Sequence, residues 1–119
     1  MLKREGATMH YYIEQWRPRP KWLSLTPEDR GKFLFDLSPT LQGLIDGGIE
    51  LVGYMISDTQ ARPGNGFSFL RIWKVQEKES MQRIEEALGE AGWHEFFERG
   101  NLHGEILTPQ VAIPHLVGL

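Results

Sequence analysis

The sequence predicts an α+β fold: a four-stranded antiparallel sheet with two helices on one face, in the order β-α-β-β-α-β. Three observations predict it. Short runs rich in aromatic and β-branched residues recur four times, at 10–17, 49–57, 67–75 and 102–107. Two longer stretches, beginning near Thr26 and near Glu79, repeat apolar residues at helical spacing. Proline and glycine clusters punctuate the runs.

Taken in order, HYYIEQWR (10–17) alternates aromatic and polar residues and is stopped by Pro18 and Pro20, which reads as a strand followed by a loop, RPRPKWLSL. Thr26-Pro27-Glu28-Asp29 is a helix start, with a capping hydroxyl, proline at the first helical position and acids at the positive end of the dipole. Phe33, Leu34, Leu37, Leu41, Leu44 and Ile45 follow helical spacing. Pro39 predicts a break at Ser38, with Ser38 capping a second short helix that Gly47 and Gly48 end. IELVGYMIS and FSFLRIWKV form the second and third strands, joined as an antiparallel hairpin through Pro63-Gly64-Asn65-Gly66. The acidic second helix presents Met81, Ile84, Leu88 and Ala91, and Gly92 ends or kinks it. Trp93, Phe96 and Phe97 then share a face if 93–99 is helical, and LHGEIL is the fourth strand. Pro109 and Pro114 break the apolar tail.

That order is the ferredoxin-like arrangement. The third strand carries Phe67, Phe69, Arg71, Trp73 and Val75 on one face and Ser68, Leu70, Ile72 and Lys74 on the other. In the second, Ile49, Leu51 and Met55 oppose Val52, Tyr54 and Ile56. Both faces are substantially apolar, whereas a sheet with one wet face alternates more cleanly. The second face is therefore expected against another copy of itself, in a homodimer.

Composition narrows the function classes. Apolar residues make up 40% and charged residues 24% of 119, ordinary globular usage for one domain with a modest core. Seven Glu against Lys78 and Arg83 leave residues 77–98 with a local charge of −5, which repels a phosphate backbone; nucleic-acid binding is not expected. The absence of cysteine excludes disulfides, thiol nucleophiles and cysteine-based metal sites, and suits a reducing cytoplasm. Residues 1–8 lead into no apolar run, so no secretory signal is expected; no apolar run reaches membrane-spanning length.

Among polar residues, Glu14 and Arg71 each interrupt an aromatic or apolar strand face, and a charge there needs a partner. The first and third strands of this fold are adjacent, so the two can pair, either as an interface ion pair or as a substrate-orienting pair. His94 and His103, nine residues apart, fit no recurrent metal spacing; either suits a proton carrier at a pocket mouth. Arg17, Arg19 and Lys21 among prolines read equally as an anion grip or a stiff solvated loop, and GNG at 64–66 lies between strands, where a dinucleotide site needs a strand followed by a helix. No Ser-His-Asp arrangement supports hydrolase chemistry.

The element order, the two-faced sheet, YYIEQWRPRPKWL and AGWHEFFERGNLHGE resemble the dimeric α+β barrel superfamily and, within it, an uncharacterised bacterial family, over roughly residues 10–108. The resemblance implies a pocket between sheet and helices in each subunit. Cofactor-independent monooxygenases of the superfamily use Trp, Asn, Tyr and Arg there, types found here as Trp73, Asn101, Tyr54 and Arg71; haem-degrading members use a His from the second helix, and His94 lies just beyond it. The expectation is a disordered leader (1–9), a barrel domain (10–108) and a tail (109–119) packed on the domain or a partner subunit. The pocket would be lined by Tyr12, Tyr54, Arg71, Trp73, Trp93, Phe97 and Asn101, with His94 or Glu14 moving a proton. No cofactor, metal or membrane is expected, and the partner is a small, flat aromatic molecule. An oxygenase, isomerase or cyclase acting on an aromatic or polyketide-like compound, a non-catalytic binding or interaction protein, and a haem-binding protein stand as alternatives in that order.

Overall fold

A computed structural model describes residues 10–56 and 69–119. Its elements are β1 (His10–Pro18), α1 (Pro20–Leu23), α2 (Pro27–Asp46), β2 (Glu50–Ile56), β3 (Phe69–Val75), α3 (Glu79–Glu90), α4 (Trp93–Phe96), β4 (Phe97–Arg99), β5 (Leu102–Glu105) and α5 (Pro109–Val117). The expected leader and the Pro63–Gly66 turn lie outside the described residues. The sheet runs β2-β3-β1-β4, with β5 also on β1, and every pairing is antiparallel. Because β4 and β5 keep one register against β1 across Gly100-Asn101, they form one interrupted edge, and the order is that of a ferredoxin-like sheet.

The helices cover one face. Leu37 and Leu44 of α2 and Ile84 and Leu88 of α3 are buried with Tyr12, Trp73 and Val75 of the sheet and with Ile49, Trp93 and Phe97. The opposite face carries Ile13, Leu70 and Ile72 half-covered and Met55 and Leu102 exposed.

The structure departs from expectation at five places, each with a physical cause. Helix α2 runs through Pro39: the residue is exposed, and the carbonyl that loses its donor belongs to Phe35, itself 77% exposed, so water can satisfy it. Ser38 caps nothing; its hydroxyl donates back to the Leu34 carbonyl at 3.2 Å. At the true start the Thr26 hydroxyl accepts from the Asp29 amide at 3.1 Å, as its position predicts. In β2 a bulge between Leu51 and Gly53 resets the alternation. Leu51, Tyr54 and Ile56 thereby align with Trp73, Arg71 and Phe69, and Met55 goes to the other face with Leu70.

The loop after β1 holds a short helix, α1. Arg30 supports its end, donating from Nε to the Trp22 carbonyl (3.2 Å) and from Nη2 to the Leu23 carbonyl (2.9 Å). The turn after α3 stops at Phe96, because Phe97, Glu98 and Arg99 pair with Pro18, Arg17 and Trp16 and leave the helix for the sheet edge. Gly92, at φ +91°, makes the reversal between α3 and α4 in the left-handed region. The tail forms helix α5 with Pro109 in its first turn; Pro114 lies inside it without breaking it, and none of its residues is buried.

Candidate functional site

The expected site residues fall into two adjoining groups, with a cleft beside the first. Glu14 and Arg71 stand directly opposite each other in β1 and β3. Their side chains are buried and joined through two bonds, Arg71 Nε to Glu14 Oε2 at 2.6 Å and Nη2 to Oε1 at 3.1 Å. Trp73 Nε1 donates to the same Glu14 oxygen at 2.6 Å. The Arg71 guanidinium carbon lies 4.7 Å from the Trp93 ring centre and 5.8 Å from that of the exposed Tyr54. Burial alone would lower the pKa of Arg71, but the Glu14 carboxylate outweighs it and holds the guanidinium charged. This group is a filled, internally satisfied ion pair between aromatic faces.

The second group centres on Glu85 of α3. Tyr12 Oη, Asn101 Nδ2 and Arg99 Nη1 all donate to its carboxylate, and Asn101 Nδ2 also reaches Tyr12 Oη at 2.8 Å. His94 Nε2 lies 3.7 Å from Glu85, with its ring against Gly89. Burial first, then the Glu85 carboxylate, push the Tyr12 phenol far up. Burial would raise Glu85, but the Tyr12 hydroxyl and Arg99 hold it below its ordinary 4.5. Burial and then Arg99 push His94 below 6.5, against the smaller pull of Glu85, so its imidazole is neutral near pH 7. Asn101 Oδ1 is buried without a partner among the described residues.

The cleft, of about 300 Å³, opens between the end of β1, α1, α2 and α4. It is walled by Trp16, Trp22, Phe69, Trp93 and Phe97, with Leu23, Leu34, Pro18 and Arg30 completing the lining. The rings hold one another. Trp93 stacks on Phe97 at 4.2 Å, Trp16 stacks on Phe69 at 5.1 Å and meets Trp93 edge-on, and Trp22 packs on Phe97 at 4.8 Å.

Of the residues expected to line a pocket, Trp93 and Phe97 line this cleft. Glu14, Arg71 and Trp73 form the core beside it, while Tyr12, Asn101 and His94 join the Glu85 group. His103 is exposed on β5. Glu85 and Arg99 were not anticipated, nor were Trp16, Trp22, Phe69 and Arg30. For Trp16 the signal was present, since it shares a strand face with Tyr12 and Glu14. Among the described residues no group of three or more His, Asp or Glu is placed to hold a metal ion.

A family model described as "Family of unknown function (DUF6616)" matches residues 9–119. The chain belongs to that family. Comparison with curated proteins found no match. Among solved structures, this DUF6616 chain is similar to chlorite dismutase from Candidatus Nitrospira defluvii in complex with imidazole. The identity is 14% and the TM-score 0.68, over 90% of this chain and 42% of that one. A variant of the same enzyme gives 15% identity and a TM-score of 0.68, covering 92% and 44%. The DUF6616 chain thus spans less than half the length of these enzymes, and at such identity the likeness is one of fold. Among the described residues no helix is long and apolar enough to cross a membrane.

Proposed function

We propose that this protein binds a flat, largely apolar small molecule in the cleft walled by Trp16, Trp22, Phe69, Trp93 and Phe97. The observation that supports this is a cavity of about 300 Å³ with five aromatic rings in its wall, at the lower end of the range for small-ligand sites. Cofactor-independent chemistry on an aromatic or polyketide-like compound is the enzymatic form of this reading. In that form the neutral His94 imidazole, which follows Trp93 in the short helix but faces Glu85 and Gly89 outside the cleft lining, exchanges the proton through water rather than by direct contact with the ligand. Glu14, expected to share that role, is engaged by Arg71 and Trp73 and holds the guanidinium against the Trp93 ring.

The test is titration of the protein with 2-naphthylmethanol, followed by tryptophan fluorescence. Saturable quenching that Trp22→Ala weakens is expected; absence of quenching at the ligand's solubility limit removes the reading. Product formation from a candidate phenol that survives His94→Gln would leave binding and remove the proton-carrier role.

The likeness to chlorite dismutases favours a trial of haem as a second reading. The residues here do not fit it well. Iron takes His, Cys, Met or Tyr as axial ligand, and the described lining of the cleft contains none. The His94 ring faces Glu85 and Gly89. A visible absorption band after mixing with haemin, lost in His94→Ala, would reverse this judgement.

The homodimer belongs to the same proposal. Ile13, Leu70, Ile72, Met55 and Leu102 make the second sheet face apolar, and a second copy would cover it.

A further inference from the structure

The lining of the cleft contains one charged residue that a purely apolar ligand would leave idle. The Trp16 and Trp93 indole nitrogens expose no surface to the cleft, although both rings belong to its wall, so neither is available to a ligand there. Arg30 is the charged residue of the lining. Its Nε and Nη2 fix the guanidinium on the Trp22 and Leu23 carbonyls, at 5.9 Å from the Trp22 ring centre. No carboxylate among the described residues pairs with it, and a guanidinium has five N–H groups, so donors remain after those two bonds. Fixed positive charge, unused donors and planar walls share one cavity.

We infer that the cleft selects a planar aromatic carboxylate of one or two fused rings, its rings held by the aromatic walls and its anionic oxygens received by the unused donors of Arg30. This rests on the cleft being the binding site, and deepens it by naming the class of ligand. A neutral ring of the same size gains the stacking alone. The acid gains a charge-assisted bond to a half-exposed guanidinium, and that increment is screened by salt.

The experiment compares 2-naphthoate with 2-naphthylmethanol, by tryptophan fluorescence and calorimetry, in the wild type, Arg30→Gln and Arg30→Lys. The wild type should bind the acid roughly tenfold or more tighter than the alcohol, with salt weakening only the acid. Arg30→Gln should erase that preference; because Arg30 also lines the cleft and closes α1, the alcohol's affinity in the same variant reports how far the cleft itself is disturbed. Arg30→Lys keeps the positive charge and should retain part of the preference for the acid; should Arg30→Gln lose both ligands through collapse of α1, the ratio of acid to alcohol affinity in Arg30→Lys decides, and an unchanged ratio in both variants overturns the anion inference. Equal affinities for acid and alcohol in the wild type overturn the anion inference and leave the aromatic cleft standing. Binding of neither removes the cleft reading itself.

Discussion

The buried pair of Glu14 and Arg71 makes the strongest energetic prediction. Both side chains are at most 3% exposed, and three short bonds tie the Glu14 carboxylate to Arg71 and Trp73. Replacing Arg71 by Met keeps volume and removes the charge, leaving a buried carboxylate with only the Trp73 indole. Breaking a buried pair in this way costs about 3–5 kcal/mol. For a small domain of about 5–15 kcal/mol total stability, that is about a fifth or more of the whole. In urea, with a slope of about 1–3 kcal/mol/M, the unfolding midpoint should fall by at least about 1 M. Glu14→Gln should cost a similar amount by stranding the guanidinium, and the double variant should cost clearly less than the sum, because no charge is then left unpaired. The assay is a double-mutant cycle by urea unfolding. A loss under about 1 kcal/mol for Arg71→Met, or strict additivity, would refute the account of a satisfied internal pair. A substrate-orienting pair at a pocket surface would spare the fold when broken; the complete burial of Glu14 and Arg71 makes the fold the first casualty.

Acid titration should show two separable limbs. His94 is held below 6.5 and Glu85 below 4.5. The unfolded chain therefore takes up each proton first, and stability falls as pH drops below those values; His94→Gln should flatten the upper limb and Glu85→Gln the lower, read as unfolding midpoint against pH. At the alkaline end the raised Tyr12 phenol reverses the sign, so stability should fall from about pH 10 upward in the wild type and less in Tyr12→Phe. Thr26→Ala should cost about 1 kcal/mol in thermal unfolding through loss of the bond to the Asp29 amide. A native mass spectrum should give about twice 13.7 kDa, and Ile72→Lys on the uncovered face should return the monomer; a wild-type monomer at every concentration would remove the dimer.

Element order was legible because each run carries its own period. Tyr12, Glu14 and Trp16 face the helices together, and Ile84 and Leu88 mark one stripe of α3. What escaped the pattern depends on solvent and on distant partners. Pro39 reads as a break in any window, yet the groups it frees lie in water. The β2 bulge is one residue in seven, and only pairing with β3 reveals that Tyr54 and Met55 have exchanged faces. Glu85 is one of seven Glu between 77 and 98, and its partners Tyr12 and Asn101 lie 73 and 16 residues away. Nothing local separates it from its solvated neighbours. Trp22, in a proline-rich stretch read as loop, gains its role because Arg30 closes α1 and turns the ring toward Phe96 and Phe97.

The aromatic segment 93–97 serves as core and as cleft wall at once, and this dual use separates positioning from recognition. Trp93 has the Arg71 guanidinium against its face at 4.7 Å, stacks on Phe97 and receives Trp16 edge-on. The ion pair therefore fixes Trp93, and Trp93 fixes one wall of the cleft, although Arg71 is not among the residues lining it. Removing the pair should weaken every aromatic ligand alike, in step with lost stability, since the wall moves as a unit. Removing Arg30 should change the preference between charged and neutral rings, with a stability cost limited to the two bonds it donates to the end of α1 and smaller than that of breaking the buried pair. Measuring both variants against the same two ligands thus separates a side chain that builds the cavity from one that reads what enters it.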